Sequence, residues 1–565
     1  MAAPEALVSR RAAAMAWGFA MLERVVRIKS ARNPVPQNRF QLASVMTELF
    51  APLERLLGSG GDLRLCIDPV SGLNEYGCQP FPSPDTLSFA SSTATSISAR
   101  AYDRAGYARE SLMRSAIAVG IDAAFDARNE AMRAELKACL GLSQADVEVV
   151  FSPSGTDAQL QALFLARALK GRALTTIIVA ADQTGSGTAY TARGQHFNAT
   201  TANGDQVRKG EPIAGLADSV ASVGFGLFDG AGGFRPQADV DARVLEAIEQ
   251  SVASGTNVLL QIMDSSKLGR RAPSDRCLDE IAMRWPDQVQ VVVDACQMRL
   301  GRPRLRKYLD RGYLVLITGS KFFTGPAFSG ALLVPSGLSK ALDTVGEVAS
   351  GLSGYCSRSD WPRGWQSLRS RFPVRANFGQ WLRWEAALEE IGAYYKVPDA
   401  FRVAALTIFG SGVERIIASS PSLRLLPARQ GCEGAGVDDE ELAETTIFPF
   451  VIVHGGRVLA LDDCRKIYRA LARDARNAVA AGPHCEAEVA ARLCLVGQPV
   501  ALGGGGQYPV TALRICAGAR LITEAWVSGA DTANGNLARE LDRVGAVVAK
   551  IEWLLAHMDG LRGSP

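Results

Sequence analysis

A lysine follows directly on a predicted buried strand. Lys321 lies in the turn Thr318-Gly-Ser-Lys-Phe-Phe-Thr-Gly, which is rich in hydroxyl and small residues and comes after the apolar run Tyr313–Ile317. An ammonium group is costly to bury unless it is paired or neutralised. Lys321 is therefore either exposed at the end of the strand or committed to covalent chemistry as an amine nucleophile.

Two further predicted strands that end in polar, potentially functional residues precede Lys321. The β-branched run Val291–Val293 ends in Asp294, 27 residues before Lys321, which is enough for one crossover helix and the next strand. Val149–Phe151 leads into the turn Ser154-Gly-Thr, which opens a predicted helix. Taken alone, the turn is a capped helix and the acid a loop cap. Their order and intervals together favour a functional site.

On these three segments the chain resembles the fold type I pyridoxal-phosphate (PLP) enzymes, and within them the class V aminotransferase and cysteine desulfurase group. The likeness covers about Glu148 to Pro335 well and the C-terminal part more weakly. It implies an α/β fold whose large domain has a mostly parallel, doubly wound sheet. It also implies a smaller α+β C-terminal domain, to which this chain adds an N-terminal helical extension, and it implies PLP as the cofactor.

The resemblance implies that one group of residues binds the cofactor phosphate. Ser154, Gly155 and Thr156 would offer main-chain N–H groups, a hydroxyl and the positive end of a helix dipole to the dianion. Thr318 and Ser320, which flank the lysine, would be further phosphate or lysine contacts.

The resemblance also implies roles at the cofactor ring. Asp294 would keep the pyridine nitrogen protonated by charge pairing, which makes the ring an electron sink. Gln297 would donate a hydrogen bond to the ring phenolate. Lys321 would form a Schiff base with the cofactor and then move the proton at the substrate Cα.

The chain departs from the group at the residue that stacks on the ring. After the equivalent of the strand Leu174–Ala180, the group usually has an acid and then a histidine or aromatic residue. Here Asp182 and Gln183 stand in those places, and the nearest histidine, His196, comes thirteen residues after Gln183. We expect Gln183, or the loop Thr184–Thr188, to cover the ring instead.

Three segments are candidates for substrate contacts. Arg514, in the apolar strand Thr511–Cys516, resembles the arginine that binds the substrate carboxylate in the class V group; an ordinary ion pair is the alternative. Asn74 and Tyr76 lie in a turn-rich arm that either reaches the mouth of the site or packs on the surface. The polar cluster Asp264–Lys267 after a predicted strand either lines the pocket or begins a loop.

Composition bounds the class of protein. The 565 residues include 47% hydrophobic and 21% charged residues and carry a net charge of +3, so bulk charge implies neither a nucleic-acid partner nor a membrane surface. The eleven cysteines are scattered without a CxxC pair, and four histidines are present. These counts favour neither a zinc site nor a disulfide framework and fit a reducing cytoplasm.

Four parts are predicted along the chain. They are an N-terminal helical extension and arm (1–90), a large PLP-binding domain (91–375), a connecting helix and linker (376–445) and a small C-terminal domain (446–565). Within them we expect a strand over Leu63–Ile67, one helical stretch over Ala99–Leu142 and a helix over Asn377–Tyr395. Arg10-Arg11 superficially resembles an export signal, but the helical spacing of the apolar residues that follow favours an amphipathic helix.

Reaction type is less determined than cofactor type. An aminotransferase acting on an α-amino acid or related amine is the first hypothesis, and a β-lyase, a cysteine desulfurase or a side-chain replacement enzyme is the second. Desulfuration needs a mobile nucleophilic thiol, for which Cys432 is the candidate. A non-catalytic PLP-fold binding protein is a third, remote alternative. The resemblance also implies a homodimer with its site at the interface, where Ser350 or Ser353 would reach the phosphate bound by the partner subunit.

Overall fold

The computed structural model describes residues 47–142, 147–229, 233–426, 442, 445–476, 484–502, 510–526 and 530–558. The chain divides into two compact units, Met1–Ala51 and Pro52–Pro565. The helices and strands of the fold belong to the second unit. Most of the predicted N-terminal helical extension, and Cys432, lie outside the described residues.

Helices and strands alternate through much of the second unit. The α-helices are α1 (Leu53–Leu57), α2 (Ala99–Val119), α3 (Ile121–Cys139), α4 (Gly155–Lys170), α5 (Thr188–Thr191), α6 (Gln237–Ala253), α7 (Asp275–Arg284), α8 (Arg302–Asp310), α9 (Ser339–Asp343), α10 (Gln366–Arg369), α11 (Phe378–Lys396), α12 (Asp399–Ser419), α13 (Leu461–Leu471), α14 (His484–Ala491), α15 (Ala519–Ala525) and α16 (Ala530–Ala556). The strands are β1 (Leu87–Phe89), β2 (Val147–Ser152), β3 (Leu174–Val179), β4 (Val220–Phe225), β5 (Asn257–Met263), β6 (Val289–Asp294), β7 (Leu314–Thr318), β8 (Gly330–Pro335), β9 (Leu423–Leu425), β10 (Ile447–His454), β11 (Arg457–Val458), β12 (Cys494–Ala501) and β13 (Thr511–Cys516).

The larger sheet has seven strands in the order β2-β8-β7-β6-β5-β3-β4. All pairs from β7 to β4 are parallel, whereas β8 is antiparallel to both β7 and β2. Six strands therefore run in one direction and β8 runs against them. Every residue of β6 and β7 is buried, as expected for central parallel strands that are covered on both faces. The mostly parallel α/β sheet predicted from the sequence is confirmed.

The smaller sheet has the order β1-β12-β13-β10-β11, with β9 paired to β10. β1 runs parallel to β12, and the other pairs are antiparallel. Arg514 of β13 stands opposite Gly497 of β12 and Pro449 of β10. The smaller α+β part predicted from the sequence is thus present, and it takes in one strand that precedes residue 90.

The long helix α11 packs against α2 and α3 beside the larger sheet. Asn377 caps it by accepting a hydrogen bond from the Gln380 N–H at 3.0 Å. Trp381 and Trp384 are buried in its middle, and the Trp384 Nε1–H donates to the Gly330 carbonyl at 2.9 Å. This helix is the one predicted over Asn377–Tyr395, shifted by one residue.

Two local predictions were wrong. The segment predicted as a strand over Leu63–Ile67 is a short 3-10 helix, Leu63–Leu65, because the Asp62 carboxylate accepts the Arg64 N–H and begins a turn. The stretch Ala99–Leu142 is two helices rather than one. The break falls at Gly120, whose φ of 87° is a left-handed conformation that helices exclude. None of the helices in the described ranges combines the length and the apolar character that a bilayer crossing requires.

Candidate active site

Five strand ends meet at one edge of the larger sheet. Because β2, β3, β5, β6 and β7 run in the same direction, the turns after Ser152, Val179, Met263, Asp294 and Thr318 all leave from this edge. In open α/β sheets, ligands bind at the carboxyl ends of the strands. The topology therefore gathers residues that are far apart in the sequence.

The turn between β2 and α4 presents main-chain donors to this edge. Ser154 caps the helix: its Oγ accepts from the Asp157 N–H at 3.2 Å and donates to the Asp157 Oδ2 at 2.5 Å. The N–H groups of Gly155 and Thr156 have no acceptor among the described residues. A Cβ at Gly330 would lie 2.3 Å from the Ser154 carbonyl carbon, so glycine there lets the turn approach β8. The start of this 16-residue helix is thus an anion-binding arrangement.

Asp294 is the last residue of β6 and is buried. One carboxylate oxygen accepts the Cys296 N–H at 3.1 Å. Burial raises the pKa of Asp294, and within the described ranges no cation forms an ion pair with it. A positively charged hydrogen-bond donor on a ligand could therefore form an ion pair with this carboxylate without displacing a cation of the protein.

Lys321 lies three residues beyond β7. Its Nζ is 3.4 Å from the Ser92 carbonyl oxygen and 3.3 Å from that of Thr93, and no carboxylate in the described part of the chain pairs with it. Burial lowers its pKa to about 8. About a tenth of the amine is therefore unprotonated at pH 7, a much larger fraction than for a lysine with the ordinary pKa, and this is the form that attacks a carbonyl group.

A cavity of about 250 Å³ lies against this edge of the sheet, between the larger sheet, the smaller sheet and the N-terminal arm. Eleven of the twelve residues predicted for the site line it: Tyr76, Ser154, Gly155, Thr156, Gln183, Asp294, Gln297, Thr318, Ser320, Lys321 and Arg514. Asn74 is outside the cavity. Its side-chain oxygen accepts the N–H groups of Tyr76 at 3.0 Å and Cys78 at 3.1 Å, so it holds the turn that carries Tyr76.

Two glutamine side chains in the cavity have an amide oxygen that accepts no hydrogen bond. Gln297 donates through Nε2 to the Ser92 carbonyl at 3.1 Å, and Gln183 donates to the Asp182 carbonyl at 3.3 Å. The side-chain oxygens of Gln297 and Gln183 are buried and have no hydrogen-bond partner. Each amide nitrogen also keeps a second N–H. Both glutamines thus have hydrogen-bonding capacity left for a ligand.

The hydroxyl group of Thr318 is used within the protein. Its Oγ1 donates to the Cys296 carbonyl at 2.7 Å, joining the ends of β6 and β7. A phosphate group accepts hydrogen bonds and needs donors, and this proton is already engaged. The contact predicted between Thr318 and a phosphate is not supported by this geometry, although Thr318 lines the cavity.

Arg514 points from β13 into the same cavity and is 2% exposed. Its guanidinium donates to the carbonyls of Lys267 at 3.2 Å and Gln498 at 2.7 Å and to the Thr93 hydroxyl at 3.3 Å. The Nε–H has no partner, and no carboxylate in the described residues pairs with the guanidinium. Arg514 is therefore a buried cation without a protein counter-ion.

Several lining residues were not predicted. Arg64 comes from the arm; it is ion-paired to Asp62 at 2.6 Å, and its guanidinium lies 5.1 Å from the ring centroid of Phe328. Ser92 and Thr93 come from the hydroxyl-rich segment before α2. Their carbonyls accept hydrogen bonds from Lys321, which lies more than 220 residues later in the chain. No local pattern announces a contact of that range.

Other candidates lie away from the cavity. His196 stacks on Tyr355 and bonds its hydroxyl through Nδ1 at 2.7 Å. Asp264 accepts from Arg304 and from the Tyr308 hydroxyl, so the cluster Asp264–Lys267 is divided: its first residue is structural, and Ser265 and Lys267 line the cavity. Ser350 and Ser353 are exposed. Their predicted contact with a partner subunit stays a prediction.

No family model and no curated protein matches this chain. Among solved structures it is similar to Oryza sativa TDC with PLP and tryptamine, at 15% identity over 90% of each chain with a TM-score of 0.46. It is similar to a C-DES mutant with glycine covalently linked to the PLP cofactor, at 12% identity over 81% of this chain and 97% of that one, TM-score 0.46. A third is the cysteine desulfurase CsdA (S-sulfonic acid) from Escherichia coli, at 14% identity over 81% of this chain and 94% of that one, TM-score 0.43.

The names of the first two structures include PLP, and the third is named as a cysteine desulfurase. At such low identities and TM-scores the likeness is remote. The residues of the cavity must therefore carry the functional conclusion.

Proposed function

We propose that this chain is a PLP-dependent enzyme that acts on an α-amino acid or a related amine, with aminotransfer as its first candidate reaction. One observation carries the proposal. A lysine with a lowered pKa, a buried acid without a counter-ion and a helix start with unused N–H groups line a single cavity. These are the three kinds of group that an aldehyde, a pyridinium and a phosphate require.

The residues present fit this cofactor. The Gly155 and Thr156 N–H groups would bind the phosphate, and Asp294 would accept from the ring nitrogen, whose positive charge favours the ionised carboxylate. The spare N–H of Gln297 would donate to the ring phenolate, and Gln183 or the loop after it would cover the ring. When bound, PLP supplies an electron sink for the pair of electrons released at the substrate Cα.

Two residues would act on the substrate itself. Arg514 lines the cavity, has an Nε–H without a partner and would bind the carboxylate of an amino acid, because a guanidinium and a carboxylate can form two parallel hydrogen bonds. Lys321, once free of the cofactor, would take the proton from Cα; its lowered pKa suits a base that works near neutral pH.

The thiol that lines the cavity is a poor candidate for desulfuration. Burial and the neighbouring Asp294 raise the pKa of Cys296 well above its ordinary value, so it is protonated and weakly nucleophilic. The hypothesis of a sulfur-transfer reaction therefore keeps Cys432, the thiol proposed from the sequence, as its candidate. Cys432→Ser tests it: loss of activity with cofactor retained would favour desulfuration.

Attachment of the cofactor is the decisive experiment for the proposed class. Protein incubated with PLP is reduced with borohydride, digested and analysed by peptide mass spectrometry. We expect the pyridoxyl-phosphate mass on the peptide that contains Lys321, and its absence in Lys321→Ala. Lys340→Ala, which changes an exposed lysine, is the matched control and should label like the wild type. Labelling at other lysines that is unchanged in Lys321→Ala would overturn the proposal.

Reaction type is then read from a single turnover with a panel of amino acids and amines. Conversion of the cofactor to pyridoxamine phosphate with release of a keto acid would establish an aminotransferase. A cofactor that stays an aldehyde while carbon dioxide, ammonia, sulfide or a side-chain fragment appears would show a lyase or desulfurase and contradict our first candidate.

A further inference from the structure

Two cations of the cavity, the buried Arg514 and the half-buried Lys267, have no counter-ion among the described residues, and the proposed function assigns a ligand only to Arg514. The charged side chains that line it are Arg64, Lys267, Lys321, Arg514, Glu75 and Asp294. Arg64 has Asp62 as its counter-ion, and Glu75 is exposed. Lys321 and Asp294 have cofactor roles in the proposal above. Lys267 and Arg514 therefore line the cavity without an anionic partner in the described part of the chain.

Lys267 and Arg514 are neighbours held by the fold. Lys267 follows the end of β5, and the Arg514 Nη1 donates to the Lys267 carbonyl at 3.2 Å. In the described part of the chain, the Lys267 Nζ makes no hydrogen bond or ion pair. The Arg514 guanidinium is thus held at the backbone of Lys267, and its charge acts unfavourably on the Lys267 ammonium group, a repulsion that an anion bound by both would relieve.

The surroundings of Lys267 strengthen this reading. Burial first, and then the charges of Arg514 and Lys321, lower its pKa to about 8. Two acids act in the opposite direction, but neither contacts it: Asp182 accepts the Leu227 and Phe228 N–H groups, and Asp294 accepts that of Cys296. Among the described residues, this ammonium group therefore has no partner.

The sheet order separates Lys267 from the predicted phosphate site. The phosphate turn follows β2, and Lys267 follows β5, with β8, β7 and β6 between them. Neighbouring strands lie about 4.8 Å apart, so the two strand ends are separated by about 19 Å. Asp294, at the end of β6, lies on the line between them. Lys267 is thus on the far side of the ring-binding acid from the phosphate donors.

We propose that Lys267 and Arg514 together bind a substrate with two acidic groups, an amino acid that carries a second carboxylate or a comparable anion on its side chain. Arg514 binds one anionic group, and the Lys267 ammonium binds the other. The inference rests on the proposed function for the identity of the amine substrate, while the two-cation site itself is a property of the apoprotein.

Unreactive ligands test this site without turnover. The affinities of succinate and of butyrate, which has the same four-carbon chain and one carboxylate, are measured by calorimetry with the PLP-loaded protein. We expect succinate to bind at least about tenfold more tightly, since each charge-assisted hydrogen bond contributes at the upper end of the hydrogen-bond scale. Equal affinities for the two ligands would overturn the proposal.

Substitutions at Lys267 test whether this residue is the source of the preference for succinate over butyrate. In Lys267→Met, the ratio of the two affinities should fall to about one while butyrate binding is unchanged; Lys267→Arg should restore most of the preference. Lys340→Met, at an exposed lysine, should behave as the wild type. If Lys267→Met instead weakens PLP binding and leaves the succinate preference intact, Lys267 is a cofactor contact and the proposal is wrong.

The two proposals fail in different ways. Borohydride labelling at Lys321 tests the cofactor, and the ratio of succinate to butyrate affinity, also measurable on the cofactor-free protein, tests the two-cation site. A protein that labels at Lys321 but shows no dicarboxylate preference keeps the proposed function and loses the substrate class. A protein that prefers succinate without binding PLP keeps the anion site and loses the enzyme class.

Discussion

Two groups of buried charges in this molecule are treated in opposite ways. On helix α11, the carboxylate of the fully buried Glu385 accepts hydrogen bonds from two arginines. Arg128 donates through Nε at 2.5 Å and through Nη2 at 2.6 Å, and Arg104 donates through Nη2 at 3.2 Å. Glu390, one turn further, is paired with Arg100 and with Arg520. Each carboxylate in this helix core has two guanidinium partners.

The cavity at the sheet edge shows the contrary pattern. Asp294, Lys321, Lys267 and Arg514 are enclosed, yet in the described ranges none of them forms an ion pair. A buried charge without a partner costs free energy, and on α11 the chain provides such partners. The difference teaches that unpaired charge here marks the place of a ligand rather than poor packing.

The largest effect is expected from breaking the paired group. Glu385→Gln removes the charge between two arginines and leaves them facing one another, so we expect unfolding to become easier by about 3 kcal/mol or more. Urea denaturation measures it. Glu389→Gln is the matched control on the same helix, because Glu389 is about one-third exposed and pairs with Arg104 at 3.5 Å; there the loss should be below about 1 kcal/mol. Equal losses would erase the contrast.

The unpaired group should show itself in the pH dependence of cofactor capture. The pKa of Lys321 is about 8 in the folded protein, lowered mainly by burial, and the unprotonated amine is the reactive form. The rate of PLP attachment should therefore rise about tenfold per pH unit up to pH 7 and level off above about pH 8. The groups that face this amine are Asp294, Cys296, Arg514 and Arg64.

Rapid-mixing absorbance at several pH values measures this profile. An ordinary exposed lysine keeps gaining reactivity up to about pH 10.4, its unperturbed pKa. A rate that continues to climb above pH 9 would contradict the buried, unpaired state of Lys321.

Two acids at neighbouring strand ends allow a sharper comparison. Asp294 has no counter-ion among the residues that the structure describes, whereas Asp264 pairs with Arg304 at 3.2 Å and accepts the Tyr308 hydroxyl at 2.9 Å. Asp294→Asn should weaken PLP binding about tenfold, because it removes the charge pairing with the ring nitrogen. Asp264→Asn should lower stability and leave PLP affinity near the wild-type value. Titration by cofactor absorbance, with urea denaturation beside it, separates the two, and a reversed result would refute the assignment.

The sequence predicted the parts of the site that come directly after apolar runs. Asp294, Lys321 and Ser154–Thr156 follow strands whose buried character is visible in their residue types, and parallel strands bring such ends to one edge. The sheet class follows from the same alternation of strands and helices. The long helix α11 was also readable, because its aromatic residues repeat at helical spacing.

Contacts that depend on tertiary placement were not readable. The engagement of the Thr318 hydroxyl by the Cys296 carbonyl joins two adjacent strand ends, and the spacing of the residues says nothing about it. Arg64 was assigned to a strand because Leu63–Ile67 is largely apolar, but the Asp62 side chain turns the backbone there. Lys267 was recognised only as part of a polar cluster. Its lack of a counter-ion among the described residues depends on which side chains surround it in the folded structure, and these come from distant parts of the sequence.

The smallest effect is expected at Asn74, which sequence reasoning placed with the substrate contacts and the structure places behind them. Asn74→Ala removes two hydrogen bonds, to the Tyr76 and Cys78 N–H groups, and should cost about 1 kcal/mol of stability because it loosens a turn that is partly accessible to water. The affinities for PLP and succinate should change less than twofold, since the side chain does not reach the cavity. Tyr76→Phe is the companion variant, because Tyr76 lines the cavity and is carried by the same turn. A loss of ligand affinity in Asn74→Ala larger than in Tyr76→Phe would return Asn74 to the site and show that the turn does more than position its neighbour.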